Sequence, residues 1–408
     1  MTNCTKVIST VLIAGGLAGI CLPGCGSKQA NTGVGTQSPR ILVAPTDEEC
    51  RRFAAAVEEA VQSRDVAAFN AAIDGDALLE SVIEGVATTE EERNGFLAAG
   101  RQRFSASGGF GRQLIQQVAE GGSYSFIRVH SEGRQKRILF RILSAEGGVN
   151  YHDMIVSRQP DGQVKAVDIF NYLSAETFSK MMRRGFIALT AGESSGVLDR
   201  LTGKESDLAK NNDKHNQMID AMKQGQYRQV LDTYGRLPSS LQKEKYFLLL
   251  RIKAAIEVGD EEYSATIKDF RTWHPKDPCL DLICFDQLLI EERYDDALDS
   301  VDRLDAAVGP DPYLDVMRAN VKTEQNQFAA AKQLAAKAIE ADGTLVDAYW
   351  ALLAVSLAEK DFDETGRLLE AMEEKFLLEV GQVQYMPEFA EYVKSPQYRK
   401  WLTSREQK

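Results

Sequence analysis

The sequence predicts an α+β N-terminal domain, helices plus a four-stranded antiparallel sheet, followed by an all-α helical-hairpin solenoid. Between Ser123 and Asn171 four runs alternate at period two or are continuously apolar, separated by Glu132-Gly133, Glu146-Gly147-Gly148 and Pro160-Asp161-Gly162. Such runs, turned back by glycine-bearing turns, make a meander of hairpins. Later the period changes. Tyr294, Phe328 and Phe362 stand 34 residues apart, and each opens a run with partners three, seven and ten positions on: Ala297, Val301, Leu304; Ala331, Ala335, Ala338; Thr365, Leu369, Met372. Two upstream copies, Tyr227 with Val230, Tyr234 and Leu237, and Tyr263 with Thr266, Phe270 and Trp273, keep that spacing. A period near 34 built of helix pairs marks an array in which no pair hides its own apolar face and neighbours must stack.

In chain order, residues 1–25 read as an export signal: Lys6, an apolar run from Val7 to Leu22, then Leu22-Pro23-Gly24-Cys25. That run is short against the roughly 20 residues a spanning helix needs, which favours cleavage over anchoring. The closing tetrapeptide resembles a bacterial lipobox, with Pro23 in place of the usual small residue. The resemblance implies lipidation of Cys25 and a lipoprotein exported and anchored at the bacterial cell envelope, on the periplasmic side or cell surface. Ordinary signal cleavage and an uncleaved anchor are the alternatives.

Residues 26–45, rich in Gly, Ser, Thr, Asn and Gln, read as a flexible tether. Losing Lys6, the one charged residue before Cys25, takes the formal net charge from -12 to -13. That acidity argues against a nucleic-acid partner. About 360 residues beyond the tether suit two domains.

Residues 46–190 form the α+β domain. Asp47–Ala72 reads as a helix with Phe53, Val57, Val61 and Phe69 on one stripe, capped by Thr46 or Asp47. A second helical region, about Glu90–Ala119, is interrupted at Ser105–Gly111, and after the strands comes a helix over Ala175–Ala188. This order loosely resembles the nuclear transport factor and ketosteroid isomerase superfamily, which implies a cone with a curved sheet. Arg128, His130, Arg141, His152, Asp153 and Asp168 lie on the strands; alternation puts Arg128 with His130 and sets His152 opposite Asp153. No spacing among them forms an acid/base pair or metal set, so they read as the wet face of a half-exposed sheet. Arg134, Lys136, Arg137 and Arg141 make a basic hairpin, read as solvated or as a surface for an acidic partner or lipid head group.

Residues 191–206 read as a linker; the glycines and serines of Thr190–Gly196 lack the preceding strand of a phosphate loop. In the mature chain Cys25, Cys50, Cys279 and Cys284 are too sparse for a disulfide framework. On a helix Cys279 and Cys284 lie about 140° apart and roughly 7.5 Å along the axis, so they should not bond. Both read as inert, with some thiolate character conceivable for Cys279 at a helix start.

Over residues 207–376, an aromatic opening each second helix, a short residue one turn on and the helix stops between units together resemble the tetratricopeptide repeat family, in five units. Thr266, Thr365 and Val230 replace the typical alanine. The resemblance implies a non-enzymatic scaffold whose first helices line a groove for a protein or peptide. His215, Lys223, Leu250, Asp286, Val316, Asn320 and Trp350 should face or border that groove, Trp350 as anchor. The second reading makes the α+β domain a small-ligand binder or enzyme, with the repeats serving oligomerisation. Residues 377–408 read as capping helices whose aromatics cover the last unit. No catalytic, cofactor or metal motif stands out.

Overall fold

The computed structural model describes residues 43–84, 89–107, 109–145, 148–190, 201–275, 277, 279–376 and 380–406. The signal, Cys25, most of the tether, residues 191–200 of the linker, Glu146, Gly147 and Pro278 lie outside them. The chain divides into two compact units, one running to Asp286 and one from Gln287, inside a helix.

In the first unit, helix α1 (Asp47–Gln62) starts at a capping box. The Thr46 hydroxyl accepts from Glu49 N–H (3.3 Å), the Glu49 carboxylate accepts from Thr46 N–H (2.7 Å), and Asp47, Glu48 and Glu49 face the positive end of the helix dipole. The expected single helix to Ala72 breaks at Ser63–Asp65. Arg64 turns into the left-handed region (φ 59°), Asp65 N–H closes onto Ala60 O (2.8 Å), and the Asp65 side chain caps α2 (Val66–Ala71). Helix α3 (Gly75–Ile83), capped by Asp74, was not anticipated from the periodicity. Helices α4 (Glu90–Ser107) and α5 (Gly109–Ala119) divide within the anticipated interruption.

Strands β1 (Ser123–Glu132), β2 (Gln135–Leu143), β3 (Val149–Arg158) and β4 (Val164–Asn171) pair antiparallel in sequence order. A fifth, β5 (Glu176–Thr177), corrects the four-strand expectation. Ala175 (φ 47°) turns the chain so that Glu176 and Thr177 pair with β4, delaying helix α6 to Phe178–Thr190. Asp168 anchors that start, accepting from Ser179 N–H (3.2 Å) and its hydroxyl (2.5 Å).

On one sheet face Ile138, Phe140, Ile142, Met154 and Ile169 pack with Phe53, Val57, Phe69 and Leu114 of the helices. The opposite face is not wet, as had been expected. Arg141 and Asp153 are each only 2% exposed, and β2 is buried without a break from Ile138 to Leu143. Asp153 lives there because it is paired, accepting from Arg137 Nη1 (3.0 Å) and His130 Nε2 (2.9 Å).

The first unit continues through α7 (Gly203–Lys210), α8 (Asn212–Lys223), α9 (Tyr227–Gly235), α10 (Ser239–Gln242), α11 (Lys245–Val258) and α12 (Asp260–Trp273) into α13 (Cys279–Ile290). These helices are tied to the sheet domain. Arg183 on α6 reaches Val82 O and Glu84 O and pairs with Glu205. Arg184 pairs with Glu176 and lies 4.4 Å over the Tyr246 ring, while Lys245 donates to Ala175 O (2.7 Å).

The second unit holds α14 (Tyr294–Val308), α15 (Pro312–Glu324), α16 (Phe328–Ala341), α17 (Val346–Ala358) and α18 (Phe362–Phe376). Two short 3-10 turns, α19 (Ala390–Val393) and α20 (Pro396–Glu406) follow. Phe389, Tyr392, Tyr398 and Trp401 are buried in one cluster with Leu369 and Met372 of α18. No helix among the described residues is long and apolar enough to cross a membrane.

Candidate functional site

The recurring positions can be placed first. Val230, Thr266, Ala297, Ala331 and Thr365 are all 0% exposed, and the residues one turn on, Tyr234, Phe270, Val301, Ala335 and Leu369, are buried as well. Tyr227, Tyr294, Phe328 and Phe362 each begin a helix and are half-buried. The threonines are tolerated because their hydroxyls are satisfied: Thr266 donates to Glu262 O (2.7 Å), and Thr365 donates to Asp361 O (2.9 Å) and meets Ser356 Oγ (3.0 Å). The turn before four of the second helices has one geometry. Gly225, Glu292, Asn326 and Lys360 have φ between 56° and 69°, and the next N–H in each bonds five residues back at 2.8 Å.

Of the seven expected groove residues, Lys223, Asn320 and Trp350 are exposed, Trp350 at 37%. His215, Leu250, Asp286 and Val316 are instead buried. The reason is helix composition. Phe247 to Leu250, Leu282 to Phe285 and Tyr313 to Met317 are buried at consecutive positions, so these stretches of the first helices are covered on every side and leave no free side at Leu250, Asp286 and Val316. His215 Nε2 meets the Tyr246 hydroxyl (2.7 Å), and burial, with Arg184 nearby, lowers its pKa to about 4. Burial raises the Asp286 carboxyl to about 7, and its Oδ2 has no partner.

Three of the four basic residues of the hairpin are engaged or buried, and Arg134 is exposed. Lys136 pairs with Asp47 (2.5 Å), Arg137 with Asp153 and Glu132, and Arg141 is buried. The thiolate character considered for Cys279 is also corrected. Burial pushes its thiol well above the usual range, the neighbouring Asp277 carboxylate adding to the effect. Cys50, Cys279 and Cys284 are all buried, and among the described residues none of them is in a disulfide.

Strand register sorts the remaining sheet residues. Arg128 stands opposite Leu139, Leu139 opposite Asp153, Arg137 opposite His130, and Arg141 opposite Tyr151, so these share one face with Asp168, which stands opposite Ile155. His152, opposite Phe140, is alone on the other. There it lines a cavity of about 60 Å³ with Phe69 of α2, Phe110 and Leu114 of α5, Ile169 of β4 and Phe178 of α6. The His152 ring meets Phe178 edge-on at 5.4 Å between centroids, and burial lowers its pKa to about 3. The remaining lining includes Gln113, Gln117 and Asn150, leaving His152 as the one titratable side chain in the wall among the described residues. A neutral imidazole with no carboxylate beside it among the described residues of that wall is a hydrogen-bonding group and a poor base.

Sequence reasoning singled out His152 but missed its aromatic neighbours Phe110 and Phe178 and its partner Asn171. The alternation Asn150, His152, Met154, Val156 was the available signal, since it runs into the apolar face. Among the described residues, no group of three or more His, Cys, Asp or Glu is placed to hold a metal ion. No protein-family model, curated protein or solved structure matches this chain.

Proposed function

We propose that the chain is a non-enzymatic envelope lipoprotein, anchored through Cys25, whose helix pairs stack as a tetratricopeptide-like solenoid and hold a protein or peptide partner. The observation that carries this reading is Trp350. It is 37% exposed on α17, on the side that also carries exposed Ala354, while Tyr349, Ala351 and Leu353 are buried, so a large amphipathic ring borders water. A ring of that kind is a common interface anchor. The burial of Val230, Thr266, Ala297, Ala331 and Thr365 supports the stacked arrangement, and the exposed Asn320 supplies a polar contact on α15.

The test is co-purification from native membranes with full-length chains. Trp350→Ala should reduce partner recovery about ten-fold or more, the loss expected of an interface hot spot, with an unchanged melting profile. Equal recovery would remove the proposal. Cys25→Ser should move the chain from the membrane to the soluble fraction if the anchor is as proposed.

A further inference from the structure

The cavity beside His152 has a chemistry that the scaffold reading leaves unused. Its Asn171 neighbour has a defined orientation: Oδ1 accepts from Ser174 N–H (3.1 Å) and from Asn150 Nδ2 (3.3 Å), so Nδ2 is the end that faces His152 Nε2 (3.3 Å). Asn150 is itself held, its Oδ1 accepting from Tyr151 N–H (2.8 Å) and Leu173 N–H (3.0 Å). An amide nitrogen can only donate, so Nε2 must present its lone pair, and in a neutral ring the proton then sits on Nδ1. Nδ1 is buried and has no hydrogen-bond partner among the described residues. Buried donors are almost always satisfied, and one left without a protein partner beside a cavity marks a place for a ligand acceptor.

We propose that this cavity binds a small uncharged molecule, largely apolar and carrying one hydrogen-bond acceptor, such as a short-chain or cyclic carbonyl compound, with His152 Nδ1–H as donor. The aromatic walls of Phe69, Phe110 and Phe178 suit an apolar body. Among the described residues no lysine, arginine, aspartate or glutamate lines the cavity, so an ionised ligand would lose its hydration without a counter-charge from them. The volume of about 60 Å³, at roughly 10–15 Å³ for each water-sized occupant, admits about four to six non-hydrogen atoms.

The chain has four histidines, so ring-nitrogen spectra of the full-length protein labelled at histidine can be assigned one residue at a time. His152 should show one protonated and one lone-pair nitrogen, unchanged between about pH 5 and 8. Cyclopentanone should shift these signals saturably and leave those of His130, His215 and His274 in place. Methylcyclopentane, without an acceptor, and butyrate, with a charge, should each bind about ten-fold more weakly, the loss expected for one hydrogen bond. His152→Phe should lower cyclopentanone affinity by a similar factor. Unmoved His152 signals, equal affinity for either control compound, or full affinity in a folded His152→Phe chain would overturn the proposal. Should His152→Phe fail to fold, the wild-type titration against the two controls decides alone.

Discussion

The far face of the β-sheet and the helix stripes of the second unit are both buried, but by opposite means. On the sheet, Arg141, Asp153 and Ser157 are each 2% exposed, and Asp153 is held between Arg137 and His130. In the helices, Ala297, Ala331, Ala335 and Ala338 are 0% exposed and need no partner. A polar interior is sensitive to the loss of one member of a pair, whereas a small-residue interior is sensitive to gained volume. The difference shows where each region should fail.

The largest effect is expected on the sheet. Asp153→Ala leaves His130 without its carboxylate and Arg137 with only the exposed Glu132, and should destabilise the first unit by about 3–5 kcal/mol, the cost of breaking a buried pair. Hydrogen exchange resolved by peptide would check it: protection should fall across β2 and β3 while α15 to α18 keep theirs. Equal loss in both units would dissolve the contrast.

Asp286 sharpens the comparison because it is a buried acid among helices without the pairing that Asp153 enjoys. Its carboxyl is raised from 3.8 to about 7 by burial. The folded chain therefore holds a proton that the unfolded chain releases above pH 3.8, and stability falls as pH rises from about 4 to about 7, then levels off. Asp286→Asn should be the more stable form above pH 7, by as much as about 4 kcal/mol, with the advantage shrinking toward pH 4. Denaturant melts of both chains at pH 4, 6 and 8 would reveal it, and a pH-independent difference would count against the burial argument.

These two acids also show how far the sequence was legible. Helical spacing made the stripe readable, because a residue three, seven or ten positions after a helix start falls on one face whatever packs against it. Thr365 and Leu369 were therefore placed correctly without any knowledge of partners. Asp286 was placed wrongly, since its position beside the stripe says nothing about what covers the other sides of a helix as apolar as α13. On the sheet, alternation correctly opposed His152 to Asp153, yet which face was wet depended on pairs such as Asp153 with Arg137, contributed by another strand. Strand β5 and helix α3 were unreadable for a simpler reason. Two residues show no period, and the start of α3 depends on the Asp74 cap and on Ala166 of β4, which accepts from Asp74 N–H (2.8 Å).

The small-residue interior should respond to added volume. Ala335→Leu inserts three carbons where the alanine is 0% exposed between neighbouring helices and should cost about 1–3 kcal/mol through overpacking. The same change at exposed Ala329 should be nearly neutral, because it lies off the stripe on the water side of α16. Thermal melts of the two variants separate these outcomes, and similar destabilisation by both would mean that the stripe is no tighter than the surface.

The smallest expected effect concerns the turns. Gly225 adopts φ 69° without steric penalty, but Glu292 adopts φ 56° with a side chain whose Cβ crowds the backbone there. Glu292→Gly should relieve that crowding, partly offset by the greater freedom glycine gives the unfolded chain, and raise stability by about 0.5–1 kcal/mol. Lys360→Gly relieves similar crowding at φ 59° but also removes the 2.8 Å pair with Glu391, so its gain should be smaller. A glycine variant at Glu292 less stable than the parent in urea would show that the repeated turn is held by contacts of that side chain, and that the 2.8 Å backbone bond from Arg293 N–H to Leu288 O follows from them.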